Sequence, residues 1–440
     1  MNSERADILI RDAAILPAAD PSSYIPQGWV SIQDSAITGI GAGAPPPLCV
    51  QTILDGRGCL AMPGLVNGHT HAAMSLFRGL ADDLPLKSWF EEHIFPAEGR
   101  WLNEAFVHDG TGLACAEMIR SGTTTFADGY FFMDQVAAAV RQSGMRAVLC
   151  QGVLDFPTPE SPSPRAALKR LEALIDGLSG SELIRPAIFP HSAYTCSPEL
   201  YRECAEFADR RGIPLFTHLA ESQSEVDEVI RRFGKRPVEH LEELGLLSPA
   251  LIASHCVCLT EAEIDLLARR EVKVVHTPES NMKLACGVAP IPDLLSRGVT
   301  VALGTDGCAS NNNLDLFQEM DTAAKLHKVH RLDPTVMPAS VVLGMATMGG
   351  AKVLGLEKKI GSIAPGKYAD IILLDLRRPH LQPLYQIVSQ LVYAAGGADV
   401  RDVIIHGRLV MRDRVLLTLD EESILARARE WRMKIAPAKP

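Results

Sequence analysis

Apolar runs that end in polar or small residues repeat through the middle of the chain. Eight such runs are distinct: LAMPGLV (60–66), TTTFADG (123–129), MRAVLCQGV (145–153), IRPAIFP (184–190), IPLFTHL (213–219), LIASHCV (251–257), VKVVHTP (272–278) and VTVALGTDG (299–307). The segments between them have helical periodicity. Eight buried strands that alternate with helices predict a (β/α)8 TIM-like barrel of the α/β class. An open doubly wound sheet is the alternative, but it does not require eight units, and the chain contains no GxGxxG motif.

Two of the helices between these runs have clear boundary signals. Ser197 stands at an N-cap position, Pro198 follows in the first turn, and Gly212 marks the end of the segment. Thr260 and Glu263 have the spacing of a capping box. These residues predict one helix between Ser197 and Gly212 and another that opens at Thr260.

Both ends of the chain show the alternation of short β-strands instead. The turns that predict hairpins there are Asp34-Ser35, Asp55-Gly56, Pro365-Gly366 and His406-Gly407. Neither end supplies enough strands to fold alone, so we expect them to meet in one small β-sandwich domain. The predicted organisation is a composite β domain from residues 1–60 and 356–440, the latter ending in a helix, with the barrel of residues 61–355 inserted between them.

The charge of the chain argues against several classes of partner. Its 43 Lys and Arg residues are outnumbered by 53 Asp and Glu residues, which gives a net charge of -10, and it has no basic run. This argues against nucleic acid and anionic membranes as partners. No apolar run approaches the roughly 20 residues of a membrane span. The N-terminal residues lack the pattern of a signal peptide, so we expect a cytoplasmic protein.

The first apolar run leads into His69 and His71, which are separated by one residue. In an extended backbone alternate side chains point the same way, so both imidazoles can reach one point. That geometry favours a divalent cation with a preference for nitrogen, zinc first. Two solvated histidines in a loop are the alternative interpretation.

Further polar residues end the later runs of the predicted barrel. They are His191, His218, His255, His276 and Asp306. A buried histidine with one hydrogen bond is the usual explanation for any single one. Because the carboxyl ends of barrel strands share one rim, however, this set predicts a site of imidazoles and a carboxylate that suits zinc or ferrous iron.

Glu221 follows His218 by three residues, in THLAES. A carboxyl group near a metal can take a proton from bound water and deliver it to a substrate. Glu221 can equally cap or solvate the start of the next helix. Spacing alone leaves these two interpretations open.

Longer motifs carry a resemblance to a known family. They are PGLVNGHTHAAMSLFRG, THLAES, SHCV, HTPESNMKL, LGTDGCASNN and IGSIAPGKYADIILLD. With them the chain resembles the amidohydrolase superfamily over essentially its whole length, and most closely the deaminases of 5'-methylthioadenosine and S-adenosylhomocysteine. The resemblance implies a hydrolase that converts one of these nucleosides, or adenosine, to the inosine analogue and ammonia. It also implies a homo-oligomer.

The resemblance implies one metal ion per subunit. Its ligands would be His69, His71, His218 and Asp306. No lysine stands at the tip of the fourth run, where two-metal members carry a carboxylated lysine, so a single zinc ion is expected, with ferrous iron as the alternative. Three residues match catalytic positions: Glu221 as proton shuttle, His255 as the imidazole beside the metal water, and Asp306 as the ligand that faces this water.

The resemblance also implies residues that contact the substrate. They are Trp89, Glu98, His191, Glu221 and Asn281. Glu98 matches the carboxylate that holds the ribose diol of a nucleoside. Trp89 can alternatively be a core anchor.

One position departs from the family pattern. Some members that accept S-adenosylhomocysteine carry an arginine where Gln151 stands here, and that arginine would pair with the carboxylate of the amino-acid moiety. Arg165, slightly downstream, is a candidate for the same contact. The departure favours a neutral nucleoside over the charged one.

Two other kinds of function compete with this hypothesis. Guanine or cytosine deamination and triazine dechlorination share the metal chemistry, but those substrates lack a diol for Glu98. A barrel that binds a ligand without catalysis, using metal only for rigidity, has no need of a proton shuttle at Glu221.

Overall fold

The computed structural model describes residues 4–436, and the predicted ends of the β domain at residues 1 and 440 lie outside them. The strands are β1 (Glu4–Ile15), β2 (Ile25–Gln33), β3 (Ala36–Ala42), β4 (Leu48–Asp55), β5 (Cys59–Pro63), β6 (Leu65–Thr70), β7 (Thr123–Tyr130), β8 (Arg146–Val153), β9 (Ile184–Pro190), β10 (Leu215–Leu219), β11 (Leu251–His255), β12 (Lys273–His276), β13 (Val301–Leu303), β14 (Ile371–Asp375), β15 (Val400–Ile405), β16 (Arg408–Arg412) and β17 (Val415–Leu416).

The α-helices lie between these strands and after the last of them. They are α1 (Leu86–Ser88), α2 (Phe95–Trp101), α3 (Glu104–Arg120), α4 (Met133–Ser143), α5 (Pro164–Gly177), α6 (Pro198–Arg211), α7 (Gln223–Phe233), α8 (Pro237–Glu243), α9 (Glu261–Arg269), α10 (Pro278–Lys283), α11 (Ile291–Ser296), α12 (Leu316–Arg331), α13 (Ala339–Gly344), α14 (Gly350–Val353), α15 (Ile387–Tyr393) and α16 (Glu421–Ile435). The predicted caps are confirmed, since Ser197 caps α6 and Thr260 with Glu263 forms a capping box on α9.

Strands β6 to β13 form a parallel eight-stranded barrel in sequence order. The first and last strands approach each other where the backbone N–H groups of Thr305 and Asp306 donate to the carbonyl oxygen of His69. Side chains such as Val66, Phe189 and Phe216 are buried in one apolar cluster of this barrel. The strands are apolar throughout because both of their faces are buried. The predicted barrel with a β domain drawn from both chain ends is confirmed.

The remaining strands form one mixed sheet in the order β17-β16-β15-β14-β5-β1-β2-β3, in which β4 also pairs with β1. The hairpins predicted at Asp34-Ser35 and His406-Gly407 are present as β2–β3 and β15–β16. The hairpins predicted at Asp55-Gly56 and Pro365-Gly366 are wrong. Around the first turn, the twelve-residue strand β1 instead pairs in parallel with β4 and, further along, with β5. No strand lies between α14 and β14, so the second turn has no strand before it.

The mixed sheet is joined directly to the barrel. Strand β5 continues through Gly64 into β6, and a Cβ atom at Gly64 would lie 2.2 Å from the Thr124 side chain, so only glycine fits this close approach. A buried ion pair between Arg146 of β8 and Asp370, which precedes β14, makes a second link, with Nε and Oδ2 2.9 Å apart. The residue limits of the domains stay a prediction.

Within residues 4–436, no helix combines the length and the apolar character that crossing a membrane requires. The homo-oligomer and the cytoplasmic location stay predictions from the sequence.

Candidate metal centre and active site

Four side chains converge at the carboxyl-terminal rim of the barrel. They are His69 and His71 at the end of β6, His218 of β10, and Asp306 after β13. One nitrogen or oxygen atom of each lies within 4.8 Å of those of the others. Three imidazole nitrogens and one carboxylate oxygen that point at a common centre form the donor set of a catalytic zinc site, which keeps a position open for water or substrate.

Distances within the cluster fit a shared cation better than mutual hydrogen bonding. The Nε2 atoms of His69 and His218 are 3.2 Å apart. Asp306 Oδ1 lies 3.4 Å from His69 Nε2 and 3.2 Å from His71 Nε2. Once deprotonated, the carboxylate oxygen and the ring nitrogens direct their lone pairs at one another, and a metal ion would satisfy these lone pairs together.

The electrostatics of the cluster agree with this interpretation. Burial lowers the pKa of His69 to about 4, so its ring is neutral and free to donate a lone pair. Burial also lowers the pKa of His71, but the hydrogen bond to Asp306, the negative charge of Asp306 and the contact with the Gly129 carbonyl together outweigh burial and raise this pKa to about 9. A metal cation bound between His71 and Asp306 would replace the proton that this raised pKa places on His71.

Neighbouring residues orient two of the ligands. The hydroxyl groups of Ser280 and Ser310 both donate to Asp306 Oδ2, each at 2.6 Å, which leaves Oδ1 toward the histidines. His71 Nδ1 lies against the carbonyl oxygen of Gly129, so Nδ1 carries the hydrogen and Nε2 faces the cluster. Sequence reasoning missed both serines, because isolated hydroxyl residues give no signal without their partner.

His255 and Glu221 lie beside the ligand cluster. His255 Nε2 is 4.0 Å from Glu221 Oε2, and the two rings of His255 and His218 have centroids 5.0 Å apart. Burial raises the pKa of Glu221, which favours its protonated form. For His255, burial lowers the pKa, but the carboxylates of Glu221 and Asp306 outweigh this, so the net shift is upward.

Asn281 lies behind His255 and not in the cavity wall. Its Oδ1 is 3.0 Å from His255 Nδ1, and Thr277 Oγ1 is also 3.0 Å from that nitrogen. Asn281 therefore orients the imidazole in this structure. Its predicted contact with substrate stays a prediction.

A cavity of about 470 Å³ opens over the cluster, within the range of small-molecule sites. Its wall includes eight of the residues singled out in the sequence: His71, Trp89, Glu98, His191, His218, Glu221, His255 and Asp306. Apolar walls come from residues such as Met74, Phe90 and Leu154. The fold thus brings the predicted metal ligands and most of the predicted substrate residues to one place.

Glu98 is a buried acceptor in this wall, with 6% of its surface exposed. The hydroxyl group of Tyr130 donates to Glu98 Oε1 at 2.5 Å. Burial raises the pKa of Glu98 to about 7, against the opposing effect of Tyr130. Sequence reasoning missed Tyr130, although it directly follows the second apolar run and so stands at the barrel rim.

His191 and Trp89 line the cavity. His191 Nδ1 contacts the hydroxyl groups of Ser192 and Thr195 at 3.1 and 3.0 Å, and burial lowers the pKa of this histidine to about 3. The buried Nε1–H of Trp89 has no hydrogen-bond partner among residues 4–436. Trp89 also belongs to the hydrophobic core, as the alternative interpretation expects, and its predicted contact with substrate stays a prediction.

His276 does not reach the cluster. Its Nε2 lies 3.1 Å from Nε2 of His327 on α12, and both rings are buried. His276 therefore packs between barrel and helix layer, as single histidines commonly do.

Gln151 and Arg165 also lie away from the cavity. The amide of Gln151 donates to Glu160 Oε2 at 2.9 Å, in a separate small cavity between α4 and α5. The side chain of Gln151 therefore makes no contact with the cavity over the metal cluster in this structure, and the preference for a neutral substrate that was inferred from this residue stays a prediction. Arg165 is exposed at the start of α5. Its predicted contact with substrate stays a prediction.

Comparison with known proteins agrees with this site. The model of the amidohydrolase family matches residues 60–410. A 5-methylthioadenosine/S-adenosylhomocysteine deaminase of Syntrophobacter fumaroxidans is 53% identical, covering 99% of this chain and 100% of that protein. A 5'-deoxyadenosine deaminase of Methanothermobacter thermautotrophicus is 49% identical, covering 96% and 97%. The crystal structure of an adenosine deaminase from Xanthomonas campestris with bound zinc matches with a TM-score of 0.96 and 41% identity, covering 98% and 99%.

Proposed function

Since the chain belongs to the amidohydrolase family, we propose that it deaminates an adenine nucleoside hydrolytically, giving the inosine analogue and ammonia. The observation that carries this proposal is a cavity that holds the His69–His71–His218–Asp306 cluster together with Glu221. The three relatives and structures named above are all called deaminases of adenosine-type compounds. The substrates that we propose are 5'-methylthioadenosine, adenosine and S-adenosylhomocysteine.

We propose one zinc ion per chain, held by the four residues of the cluster, with ferrous iron as the alternative. Three imidazoles and a carboxylate suit both ions. When bound, such an ion supplies Lewis-acid activation of a water molecule near neutral pH. Two hydroxyl donors on Asp306 Oδ2 and the carbonyl contact of His71 support the arrangement of its ligands.

The proposed first step adds water to C6 of the purine. Asp306 takes one proton of the attacking water, while Glu221 delivers its own proton to N1, so negative charge does not accumulate on the ring. Burial keeps Glu221 in the protonated form that this transfer needs. His255, which lies beside Glu221, donates to the oxygen that adds to C6.

The second step breaks the bond between C6 and the amino nitrogen. The leaving nitrogen takes the proton held by Asp306, and the hydroxyl group at C6 returns its proton to Glu221. One water is consumed and one ammonia is released. Both carboxyl groups return to their starting states, so the cycle balances.

Ammonia release from zinc-loaded protein tests the proposal directly. We expect turnover of 5'-methylthioadenosine and none of guanine under the same conditions, because guanine has no diol to pair with Glu98. Turnover of guanine alone would be consistent with the proposed metal-dependent deamination but would contradict a nucleoside as the substrate. Inactivity with all three proposed nucleosides would reject the proposed substrate class.

The variant Glu98→Gln is expected to lower kcat/KM for adenosine about tenfold to a hundredfold, mainly through KM. A hydrogen bond to a charged acceptor contributes about 1.5–3 kcal/mol, and about 1.4 kcal/mol corresponds to a tenfold change. Steady-state kinetics with adenosine and 2',3'-dideoxyadenosine measure the effect.

Comparing the two substrates distinguishes the loss of a contact with the ribose diol from a general loss of activity, because only adenosine has the diol. The wild-type enzyme should discriminate against the dideoxy compound, and Glu98→Gln should lose most of that discrimination. Equal discrimination by both proteins would contradict the role of Glu98. Glu92→Gln, at an exposed residue of the same segment, is the matched control and should behave like the wild type.

A further inference from the structure

Glu225 is a buried carboxylate beside the proposed proton shuttle, and it is not among the residues singled out in the sequence. It lies in the first turn of α7 with 5% of its surface exposed, and it lines the cavity. Its Oε1 accepts the backbone N–H of Ala220 at 3.0 Å, and its Oε2 accepts that of Glu221 at 2.7 Å. One carboxylate therefore holds two successive amides of the turn that carries Glu221.

Further interactions fix the backbone of the turn at Ala220 and Glu221. Ala220 has a φ of 49°, a left-handed conformation that is uncommon for a residue other than glycine. Its carbonyl oxygen accepts the N–H groups of Val257 and Cys258 from the segment after β11. Ser222 caps α7 by accepting the N–H of Glu225, which fixes the helix that carries the carboxylate. The backbone direction at Glu221 thus depends on Glu225.

We propose that Glu225 is a positioning residue for the proton transfer by Glu221. It acts by fixing the backbone amides of residues 220 and 221, so that the Glu221 side chain projects toward the substrate and His255. A carboxylate is suited to this task because it has two acceptor oxygens, and a glutamine side chain has one. The inference rests on the proposed function in one respect, since it assigns to Glu221 the transfer of a proton.

Burial affects the charge of both carboxyl groups. Burial raises the pKa of Glu221 and also raises that of Glu225, to about 7, where the negative charge of Glu221 adds to the effect. Two neighbouring carboxyl groups in a buried site oppose simultaneous ionisation. The backbone N–H groups of Glu221 and Ala220 oppose this rise in the pKa of Glu225, and they are the contacts through which Glu225 holds the turn.

The test is a double-mutant cycle on kcat with Glu225→Gln, Glu221→Gln and the double variant. Glu225→Gln alone should lower kcat about tenfold to a hundredfold, since a misplaced catalytic group costs rate steeply, while KM stays within about threefold. In the Glu221→Gln background the same change should have almost no further effect, because there is no proton transfer left to position.

The control is Glu263→Gln. Glu263 is also a buried glutamate in the first turn of a helix, where its Oε2 accepts the N–H of Thr260 at 2.8 Å, but it lies outside the cavity wall. This variant should keep kcat within about twofold if only helix capping is disturbed. A general structural effect of capping glutamates would lower kcat in both proteins.

Two results would overturn the inference: a normal kcat for Glu225→Gln, or a loss in the double variant equal to the product of the two single losses. If Glu225→Gln does not fold, Glu225→Asp replaces it, because aspartate keeps the charge but is too short to reach both amides. The cycle uses whichever substrate the wild-type protein deaminates. Inactivity of the wild-type protein with 5'-methylthioadenosine therefore rejects that one substrate, and the test of Glu225 then uses adenosine or S-adenosylhomocysteine.

Discussion

Replacing Glu221 by glutamine is expected to lower kcat by about two to four orders of magnitude while the protein keeps its metal. Proton transfer by a positioned side chain contributes about 10²–10⁴ in rate, and glutamine cannot carry out this transfer. The variant preserves the size of the side chain and removes only the acid. Because Glu221 is not in the ligand cluster, the bound zinc should be unchanged.

The measurements are kcat for ammonia release and zinc content per chain. Glu263→Gln, outside the cavity wall, serves as the matched Glu-to-Gln control and should keep both values. A kcat for Glu221→Gln within a few-fold of the wild type would show that another group donates the proton. Loss of zinc in this variant would show instead that Glu221 contributes to the metal site.

Replacing His69 by alanine is expected to remove metal and activity together. His69 Nε2 lies 3.2 Å from His218 Nε2 and 3.4 Å from Asp306 Oδ1, so its loss opens one side of the site. A catalytic metal supplies several kcal/mol of transition-state stabilisation, at about 1.4 kcal/mol per tenfold in rate. We therefore expect kcat to fall about a thousandfold or more.

Zinc content after dialysis against a weak chelator and residual ammonia release measure this prediction. His276→Ala is the matched control, since His276 is also a buried barrel histidine but contacts His327 outside the cluster. That variant should keep its zinc even where its thermal stability falls. Retention of zinc at full stoichiometry by His69→Ala would refute the ligand assignment.

Local sequence patterns were sufficient to predict most of the strands and two of the helix boundaries. Strands of a barrel are buried on both faces, so each one appears as an apolar run whatever its neighbours are. Helix ends depend on a few adjacent residues, which is why Ser197 and the Thr260–Glu263 pair predicted the boundaries of α6 and α9 correctly. The hairpin expected at Asp55-Gly56 failed, because strand pairing depends on distant partners, here the long strand β1.

For the candidate site, too, the sequence predicted some features correctly and others not. Its histidines and Asp306 stand at the ends of successive strands, and a parallel barrel brings all such ends to one rim, so the sequence could indicate this set. His276 shows the limit of that argument. It ends a strand like the others, but the side on which it leaves the strand directs it to His327.

The sequence by itself determined the barrel, the residues at its rim, and the resemblance to amidohydrolases, since these depend on periodicity and on motifs of neighbouring residues. Only the tertiary structure decided which side chains meet. Tyr130 on Glu98, the two serines on Asp306 and the outward direction of Gln151 are contacts or orientations of this kind. The backbone amides held by Glu225 belong with them, because even a glutamate four residues away shows its partners only once the turn has folded. Hydrogen bonds act over about 3 Å, and no pattern along the chain specifies that distance between residues separated in sequence.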